Sequence, residues 1–399
     1  MCGARAQFAV GGDEEIAAAA GGVDWPQVST GEEGFASAMT ADAREPRAGG
    51  QGTRGDRCVV AIASRGGSRF ARGMLHPIDA HIHIVGNGSR GSGCWLRLKG
   101  RHRWLAAFML RHLSLPPDVA QPDFDDIYVE RLLALLRESS LGSAVILAQE
   151  QVYDERGRLL EDVGSFHVPN DYVLALARRH PEFIPAVSIH PARPDALEEL
   201  ERCLAGGAAM LKLLPNCHNV DCNDRRYARF WERMAEARLP LLAHTGGENT
   251  VPVVRPEFGH PAVLELPLEC GVTVIAAHCA TRSGFSDPDY FAEFAAMTER
   301  FPNLYGDNSA FNLPLRGWPT RQAIAEPLHS RMIYGSDFPV PIMGLWSWLR
   351  RFIDWETYRR WEKHPNALER DYQLKRAMGF GEESFTRLHG LLRRVSPVA

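Results

Sequence analysis

The sequence lacks the long apolar run that a membrane-spanning helix needs, and it carries little net charge. No apolar run approaches the roughly 18 residues of a membrane span, and the 399 residues have a formal net charge of -4. A membrane protein is therefore not expected, and neither is the basic surface of a nucleic-acid-binding protein. With 45% hydrophobic residues, the chain predicts a soluble protein with a large core.

Lysine and closely spaced cysteine pairs are also scarce. Only four of the 45 basic residues are lysines, so arginine is abundant throughout and an arginine cluster is weak evidence of a binding site. The eight cysteines include no C-x-x-C motif, and the N-terminus has no signal-peptide pattern. Reduced thiols and a cytoplasmic location are therefore predicted.

Residues 1–73 differ in composition from the rest of the chain. They are rich in Gly, Ala, Arg and Glu and carry one short apolar run, CVVAIA (58–63). This composition predicts a disordered or mis-assigned N-terminal extension. We place the boundary of the folded domain at residue 74, where Met74 is a candidate natural start.

Eight short aliphatic runs follow residue 77, with amphipathic stretches between them. Such alternation is typical of parallel strands joined by crossover helices. The runs are IDAHIHIV (78–85), SAVILA (143–148), IPAVSIHP (184–191), AAMLKLLP (208–215), LPLLAHTG (239–246), VTVIAAHC (272–279), NLYGDNSA (303–310) and RMIYGSDFP (331–339). Eight units predict an α/β fold, a (β/α)8 TIM barrel, over residues 74–399.

The first connection, residues 86–122, is the longest. Its middle has the pattern of a helix, which either forms a lid over one end of the barrel or packs at its periphery. The sequence leaves these two alternatives equally open.

Ionisable residues occur late in several of the runs. In a TIM barrel the active site forms at the carboxyl ends of the strands, so these side chains are expected to meet. Because side chains on a strand alternate, His81 and His83 lie on one face and both can point inward. The other members of this set are Lys212, His244, His278 and Asp337.

Four histidines and one aspartate at one mouth are suitable ligands for a divalent ion. Zn2+ is the predicted metal, and Mn2+, Fe2+, Co2+ and Ni2+ are alternatives. The ion would lower the pKa of bound water from about 15.7 toward 7. A neighbouring carboxylate, predicted to be Asp337, would take the proton and pass it to the leaving group.

At these residues the chain resembles the amidohydrolase superfamily, specifically its amidohydrolase-related branch. The resemblance rests on DAHIHI, LKLLPN, LLAHTGGE, AAHC and YGSDFP, which occur in the family's order on strands one, four, five, six and eight. It implies that His81 and His83 bind the more buried metal, and that His244 and His278 bind a second metal where one is present. It also implies that Asp337 is both a ligand and the general base.

Lys212 distinguishes the variants that this resemblance implies. In two-metal members a strand-four lysine is carboxylated and bridges the ions, whereas in many one-metal members strand four contributes no ligand. A lysine late in a barrel strand is costly to bury in its charged form, so carboxylation is chemically reasonable. The alternative is a lysine that pairs with Asp337 or binds a substrate carboxylate.

Five further residues are candidates for contacts with substrate or with the ligands. His190 ends the third run, but a histidine before proline is about as often a packed or capping residue. Asn216 and His218 lie in the loop after Lys212, which is alternatively a solvated turn. Glu248 could orient a ligand imidazole or lie on the surface. Asn308 could bind substrate or close the barrel floor.

The predicted function is a metal-dependent hydrolase that cleaves a C–N or C–O bond in an amide, lactone or ester of a small molecule. Asp337 would move the proton and His278 would help to polarise the carbonyl. The alternative is a metal-dependent decarboxylase of the same superfamily acting on a small unsaturated or aromatic carboxylic acid. A third interpretation is a non-catalytic binding or scaffold barrel, which the presence of all six site residues disfavours. A homo-oligomer is left open, and no nucleic-acid or membrane partner is expected.

Overall fold

The computed structural model describes residues 75–393, apart from residues 114, 116 and 117. The predicted N-terminal extension and the candidate start at Met74 lie outside the described residues, so both stay predictions. Within the described ranges, none of the helices combines the length and the apolar character that crossing a membrane requires.

Eight parallel strands form a nearly closed barrel, which confirms the predicted fold. Their order in the sheet is β1-β3-β5-β6-β7-β8-β9-β10, so each strand pairs with the next one along the chain. The strands are β1 (Ile78–His83), β3 (Ser143–Leu147), β5 (Phe183–Val187), β6 (Met210–Leu213), β7 (Leu241–His244), β8 (Val274–Ala277), β9 (Leu304–Asp307) and β10 (Met332–Ile333). Each lies within or overlaps one of the eight runs.

Two short strands lie outside the barrel. They are β2 (Trp95–Leu96) in the long first connection and β4 (Phe166–His167) in the second, and they pair antiparallel. The two connections are thereby held together on the same side of the molecule as the carboxyl ends of β1 and β3.

Thirteen α-helices accompany the strands in the described residues. They are α1 (Arg101–His112), α2 (Phe124–Arg137), α3 (Asn170–Arg179), α4 (Ala196–Ala205), α5 (Pro215–His218), α6 (Ala228–Glu236), α7 (Glu265–Glu269), α8 (Phe291–Arg300), α9 (Thr320–Ala323), α10 (Leu345–Leu349), α11 (Trp355–Glu362), α12 (Ala367–Ala377) and α13 (Glu382–Thr386).

Alternation along the strands divides the apolar side chains between two cores. Leu242 of β7 and Ile275 of β8 are paired neighbours that belong to the small cluster inside the barrel. Leu241 and Val274, one residue earlier on each strand, belong to the larger cluster between strands and helices. The strands are therefore buried on both faces, which explains their nearly continuous apolar sequences.

The barrel closes through backbone hydrogen bonds between β1 and the segment that follows β10. The Ala80 amide donates to the Tyr334 carbonyl at 3.0 Å, the Asp337 amide donates to the His81 carbonyl at 3.0 Å, and the His83 amide donates to the Phe338 carbonyl at 2.8 Å. Closure thus joins the chain that carries the two histidines directly to the chain that carries Asp337.

Candidate metal centre

Three of the six predicted ligands converge at the carboxyl end of the barrel. His81, His83 and Asp337 each present one ligand atom, and the three atoms lie within 4.8 Å of one another. The His81 Nε2 atom is 3.2 Å from His83 Nε2 and 3.4 Å from Asp337 Oδ1, and His83 Nε2 is 3.5 Å from the same oxygen. Two imidazoles and one carboxylate form a donor set that suits a divalent ion such as Zn2+.

The backbone explains how these side chains come to face one another. The pairing of β1 with β3 is irregular between Asp79 and Ile82, so β1 carries a local change of register just where its histidines begin. Such irregularities re-aim side chains and are frequent beside active sites. Asp337 has a left-handed backbone conformation with φ 67°, which costs about 1–3 kcal/mol for a residue with a side chain and is typical of functional sites.

Asp307, at the end of β9, determines which nitrogen of His81 is free. Its Oδ2 lies 2.8 Å from His81 Nδ1, and both residues are fully buried. Because a carboxylate only accepts hydrogen bonds, the proton of His81 is on Nδ1 and the lone pair is on Nε2. Burial also lowers the pKa of His81 well below its ordinary value, so the ring is neutral.

The position of the proton on His81 shows whether a metal fits the site. The His81 Nε2 lone pair faces Asp337 Oδ1 at 3.4 Å, and both atoms are acceptors. Two buried acceptors at this distance repel one another unless a cation lies beside both. Either a metal ion or the Lys212 ammonium can serve, and the donor set of His81, His83 and Asp337 fits a metal.

His278 is connected to the same carboxylate through a serine. The Ser309 hydroxyl donates to Asp307 Oδ1, so the 2.8 Å contact between Ser309 Oγ and His278 Nδ1 requires a proton on that nitrogen. The Nε2 atom of His278 is then an acceptor. This tautomer suits a ligand or a base, whereas the predicted role of polarising a carbonyl requires a further proton on Nε2.

Asp79 is a second buried carboxylate that links the two chains of the site. Its Oδ1 accepts hydrogen bonds from the His81 amide at 3.0 Å and from the Ser336 amide at 2.9 Å. Burial raises the pKa of Asp79 to about 7, against the hydrogen bonds that favour its charged form. Asp79 therefore positions the backbone on either side of the ligand cluster.

Lys212 lies beside the ligand cluster, within hydrogen-bond distance of His81. Its side chain is fully buried, and its Nζ is 3.2 Å from His81 Nε2. Burial lowers the pKa of Lys212 to about 8, although the carboxylates of Asp307, Asp337 and Glu248 oppose that shift. A neutral amine is thus readily accessible, which is the form that reacts with CO2.

His244 is near the cluster without joining its three ligand atoms. Its Nε2 is 3.2 Å from the Gly247 carbonyl and 3.5 Å from Glu248 Oε2. Burial lowers the pKa of His244 to about 3, with the Glu248 carboxylate opposing the shift. Glu248 is buried beside this imidazole and not on the surface, and its Oε1 also accepts from the backbone of the following loop.

Arg316 is a charged group near the site that the sequence patterns do not reveal. It is 5% exposed and donates to the Thr281 carbonyl at 3.1 Å and to the Gly247 carbonyl at 2.8 Å. These bonds fix the loops after β7 and β8. The arginine comes from a long loop with no periodic pattern, so no sequence signal distinguishes it from the other arginines.

The structure places the remaining candidates away from the cavity above the ligands. His190 accepts from the Ala192 amide and donates to the His218 carbonyl at 2.9 Å, so both of its ring nitrogens have protein partners. His218 contacts the Leu214 amide and the side-chain amide of Gln149. These contacts stabilise the loop after β6.

Asn216 and Asn308 contact the barrel framework, Asn216 through its backbone carbonyl and Asn308 through its side chain, and the Asn216 Oδ1 and Asn308 Nδ2 atoms are buried without a hydrogen-bond partner among the described residues. The Asn216 carbonyl accepts from the amides of Val254 and Arg255, both at 2.9 Å. The Asn308 Oδ1 accepts from the Gly335 amide at 3.2 Å, which links β9 to the segment after β10. Asn308 thus corresponds to the alternative in which it closes the barrel interior.

A cavity opens above the ligand cluster, with a volume of about 910 Å3 including its mouth. Its floor is formed by His83, Lys212, His244, His278 and Asp337. The helix α1 contributes Leu105, Ala106, Met109 and Leu110 to the wall. The helix of the long first connection therefore lies at the active-site end of the barrel and lines the cavity, and its action as a lid stays a prediction.

Comparison with known proteins identifies the same region of the chain. The family model described as Amidohydrolase matches residues 78–378. These residues include the eight barrel strands and the three converging side chains of His81, His83 and Asp337. No curated protein matches the chain significantly.

Solved structures share the barrel. An uncharacterised TIM-barrel protein from Bordetella bronchiseptica has 19% identity and a TM-score of 0.50, with 75% of this chain and 99% of that chain covered. A 5-carboxyvanillate decarboxylase from Sphingomonas paucimobilis has 12% identity and a TM-score of 0.44, with 79% and 99% covered. A protein from Acinetobacter baumannii, described as a probable 2-pyrone-4,6-dicarboxylic acid hydrolase, has 14% identity and a TM-score of 0.48, with 79% and 100% covered. At these identities the likeness concerns the fold alone.

Proposed function

Because the chain belongs to the amidohydrolase family, we propose that it is a metal-dependent hydrolase cleaving a C–N or C–O bond in an amide, lactone or ester of a small molecule. The observation that supports this most is the convergence of the buried His81 with His83 and Asp337, which line the floor of the cavity, and the lone pair of His81 is turned toward the other two. His81, His83 and Asp337 would hold the ion. When bound, a divalent ion supplies Lewis acidity, which activates water and polarises a carbonyl.

The chain's own residues account for the proton transfers. Asp337 lines the cavity and is 7% exposed, so it can accept a proton from water above the floor. His278 presents Nε2 as an acceptor, and its Nδ1 is connected through Ser309 to the Asp307 carboxylate. Burial lowers the pKa of His278 well below its ordinary value, so the neutral ring can offer its Nε2 lone pair to an ion or to water, and Asp337 would pass the proton to the leaving group.

Lys212 decides how many ions the site holds. In our proposal its amine is carboxylated by CO2, and the carbamate, together with His244 and His278, supplies ligands for a second ion. The lowered pKa of about 8 and the 3.2 Å distance to His81 Nε2 support this assignment. The alternative is an ammonium that pairs with Asp337 or with a substrate carboxylate.

The first test is metal content per chain, measured by plasma mass spectrometry on protein purified without chelators. About two ions per chain, with a carbamate resonance after labelling with 13C-bicarbonate, would support the carboxylated lysine. One ion without that resonance would contradict it. No ion, with no uptake on reconstitution, would contradict metal dependence altogether.

The second test concerns the proton acceptor. Asp337→Asn retains an oxygen for the ion and is expected to lower turnover of amide, ester and lactone substrates by about 100-fold or more. Asp224→Asn is a control, because Asp224 pairs with Arg226 and does not line the cavity. Wild-type turnover in Asp337→Asn would contradict the assignment of the base.

A decarboxylase is the second candidate, and one observation favours it. Among the described residues, the His, Cys, Asp and Glu side chains form a single potential metal-binding group with three members, which is what a one-ion site requires. Release of CO2 from aromatic or unsaturated carboxylic acids by protein with one ion per chain would support this reaction. The absence of such release, with hydrolysis of esters or amides, would contradict it.

The cytoplasmic location and a homo-oligomeric state stay predictions. The six described cysteines are free thiols, and fractionation of the cells that produce the protein would test its location. Size-exclusion chromatography with light scattering would measure the oligomeric state.

A further inference from the structure

The walls of the cavity differ in chemistry from its floor. All of the ionisable floor residues lie at strand ends, whereas the walls above them are largely aliphatic. The wall residues include Leu96, Leu105, Met109, Val119, Phe166 and Val340. A substrate must therefore place its reacting group at the floor and the rest of its body against hydrocarbon.

The wall formed by α1 is held in place by the rest of the protein. Leu110 and Leu113 at the end of α1 are buried in the main core, at 4% and 2% exposure. The His112 Nε2 atom is 2.8 Å from the guanidinium of Arg370 on α12. The inner face of α1 is thus an anchored surface for a ligand.

Few cations reach the surface of the cavity, which limits how many acidic groups a ligand can carry. Arg316 lies near the site, but it is 5% exposed, donates to the Thr281 and Gly247 carbonyls and does not line the cavity. None of the described residues that line the cavity is an arginine, and Lys212 at the floor is its one lysine.

Outside the floor, the His102 imidazole in the first turn of α1 is the one basic side chain of the described lining. Arg226 and Arg282 pair with Asp224 and Asp289 outside the cavity. The wall itself carries the carboxylate of Glu248, which repels a second anion.

We propose that this enzyme acts on monofunctional hydrophobic substrates, whose single carbonyl or carboxyl group reaches the floor while an uncharged hydrocarbon body lies against α1. Dicarboxylates and polycarboxylates are disfavoured, because their far carboxylate would lie against Leu105 and Met109, where the His102 imidazole is the one basic group of the described lining. The proposal rests on the proposed function, since it takes the floor to be the reacting end.

The experiment compares matched acids that differ only at their far end. Binding of hexanoate and adipate, and of octanoate and suberate, is measured by calorimetry on the zinc-loaded full-length protein. We expect each monoacid to bind at least about tenfold more tightly than its diacid, because the second carboxylate loses its water without gaining a partner. Affinity should also rise about fourfold for each added methylene from butyrate to octanoate.

Two substitutions on α1 test whether its inner face makes the contact. Leu105→Asp is expected to reduce octanoate affinity at least tenfold, and Met109→Arg is expected to increase suberate affinity relative to octanoate. Phe108→Asp is the matched control, because Phe108 is 55% exposed and does not line the cavity. Thermal unfolding of each variant verifies that it is folded.

The outcomes distinguish failure of this proposal from failure of the proposed hydrolase function. Equal or tighter binding of the diacids, no dependence on chain length, or loss of octanoate binding in Phe108→Asp but not in Leu105→Asp would overturn the proposal. Repeating the series after chelation tests whether a metal at the floor binds the carboxylate. Removal of the metal should change the affinity of every acid, whereas the dependence on chain length, which the walls determine, should remain. A retained chain-length dependence without hydrolysis of any ester would support the hydrophobic wall and contradict the proposed reaction.

Discussion

Replacing Asp307 with asparagine is expected to weaken metal binding, although Asp307 contributes no ligand atom. The Asp307 Oδ1 atom accepts from the His278 amide at 2.7 Å and from the Ser309 amide at 3.2 Å, as well as from the Ser309 hydroxyl. The amide oxygen of asparagine would take this position, since all three neighbours are donors. The new NH2 group would then face His81 Nδ1, now 2.8 Å from Oδ2.

The NH2 group reverses the hydrogen bond to His81. A donor in this position favours the tautomer with the proton on Nε2, which removes the lone pair that faces His83 and Asp337. Loss of a partner that orients a ligand histidine typically costs 10–100-fold in metal affinity, or about 1.4–2.7 kcal/mol. The loss of charged hydrogen bonds should also lower the free energy of unfolding by about 1–3 kcal/mol.

Competition with a chromophoric zinc chelator measures this loss, and thermal unfolding with and without zinc separates it from the change in stability. Asp125→Asn is the matched control, since Asp125 is 1% exposed and its carboxylate accepts from the Asn87 amide. The control should lose stability and keep its metal affinity. Zinc affinity in Asp307→Asn within about threefold of wild type would refute the assigned tautomer.

Three further predictions concern packing, pH and the lysine. Gly335→Ala is expected to destabilise the protein by about 1–3 kcal/mol and to weaken zinc binding, because the new Cβ would lie 2.9 Å from the Cβ of His81. Gly390→Ala is the control, since nothing lies within 4 Å of its new Cβ. Its unfolding temperature in calorimetry should match that of the wild type. Burial lowers the pKa of His190 to about 4, so its neutral form contributes stability that is present above pH 6.5 and is lost as the pH falls toward 4. In urea unfolding of His190→Gln, the free energy of unfolding should therefore change by about 3 kcal/mol less over this pH window than in the wild type. The same change in both proteins would contradict the prediction. Lys212→Met should reduce the ion count from two to one if a carbamate bridges the ions, whereas an unchanged count of two would contradict that bridge.

Much of the ligand set is predictable from strand periodicity. His81 and His83 share a face because side chains alternate along β1, and Asp337 follows the last strand of the same barrel. Asp307 obeys the same rule, as the last residue of β9. A uniform search for ionisable residues at strand ends would therefore have identified it.

Other features depend on contacts that no local pattern contains. The candidates His190 and His218 end up in the supporting loops because their ring nitrogens find backbone partners there. Arg316 reaches the site from a loop, and its neighbours are carbonyls that lie 35 and 69 residues away along the chain.

The sequence by itself determined the eight parallel strands, the end of the barrel at which the candidate site lies and the identity of three residues that converge there. It could do so because the alternation of side chains and the position along a strand are local properties of the chain. Only the tertiary structure decided that Asp307 holds His81 in the ligating tautomer, across 226 residues of sequence. It also decided that α1 lines the cavity with a largely apolar face. Hydrogen-bond partners and cavity walls depend on which strands and helices become neighbours in space. The periodicity of the sequence does not encode which residues far apart in the chain become neighbours.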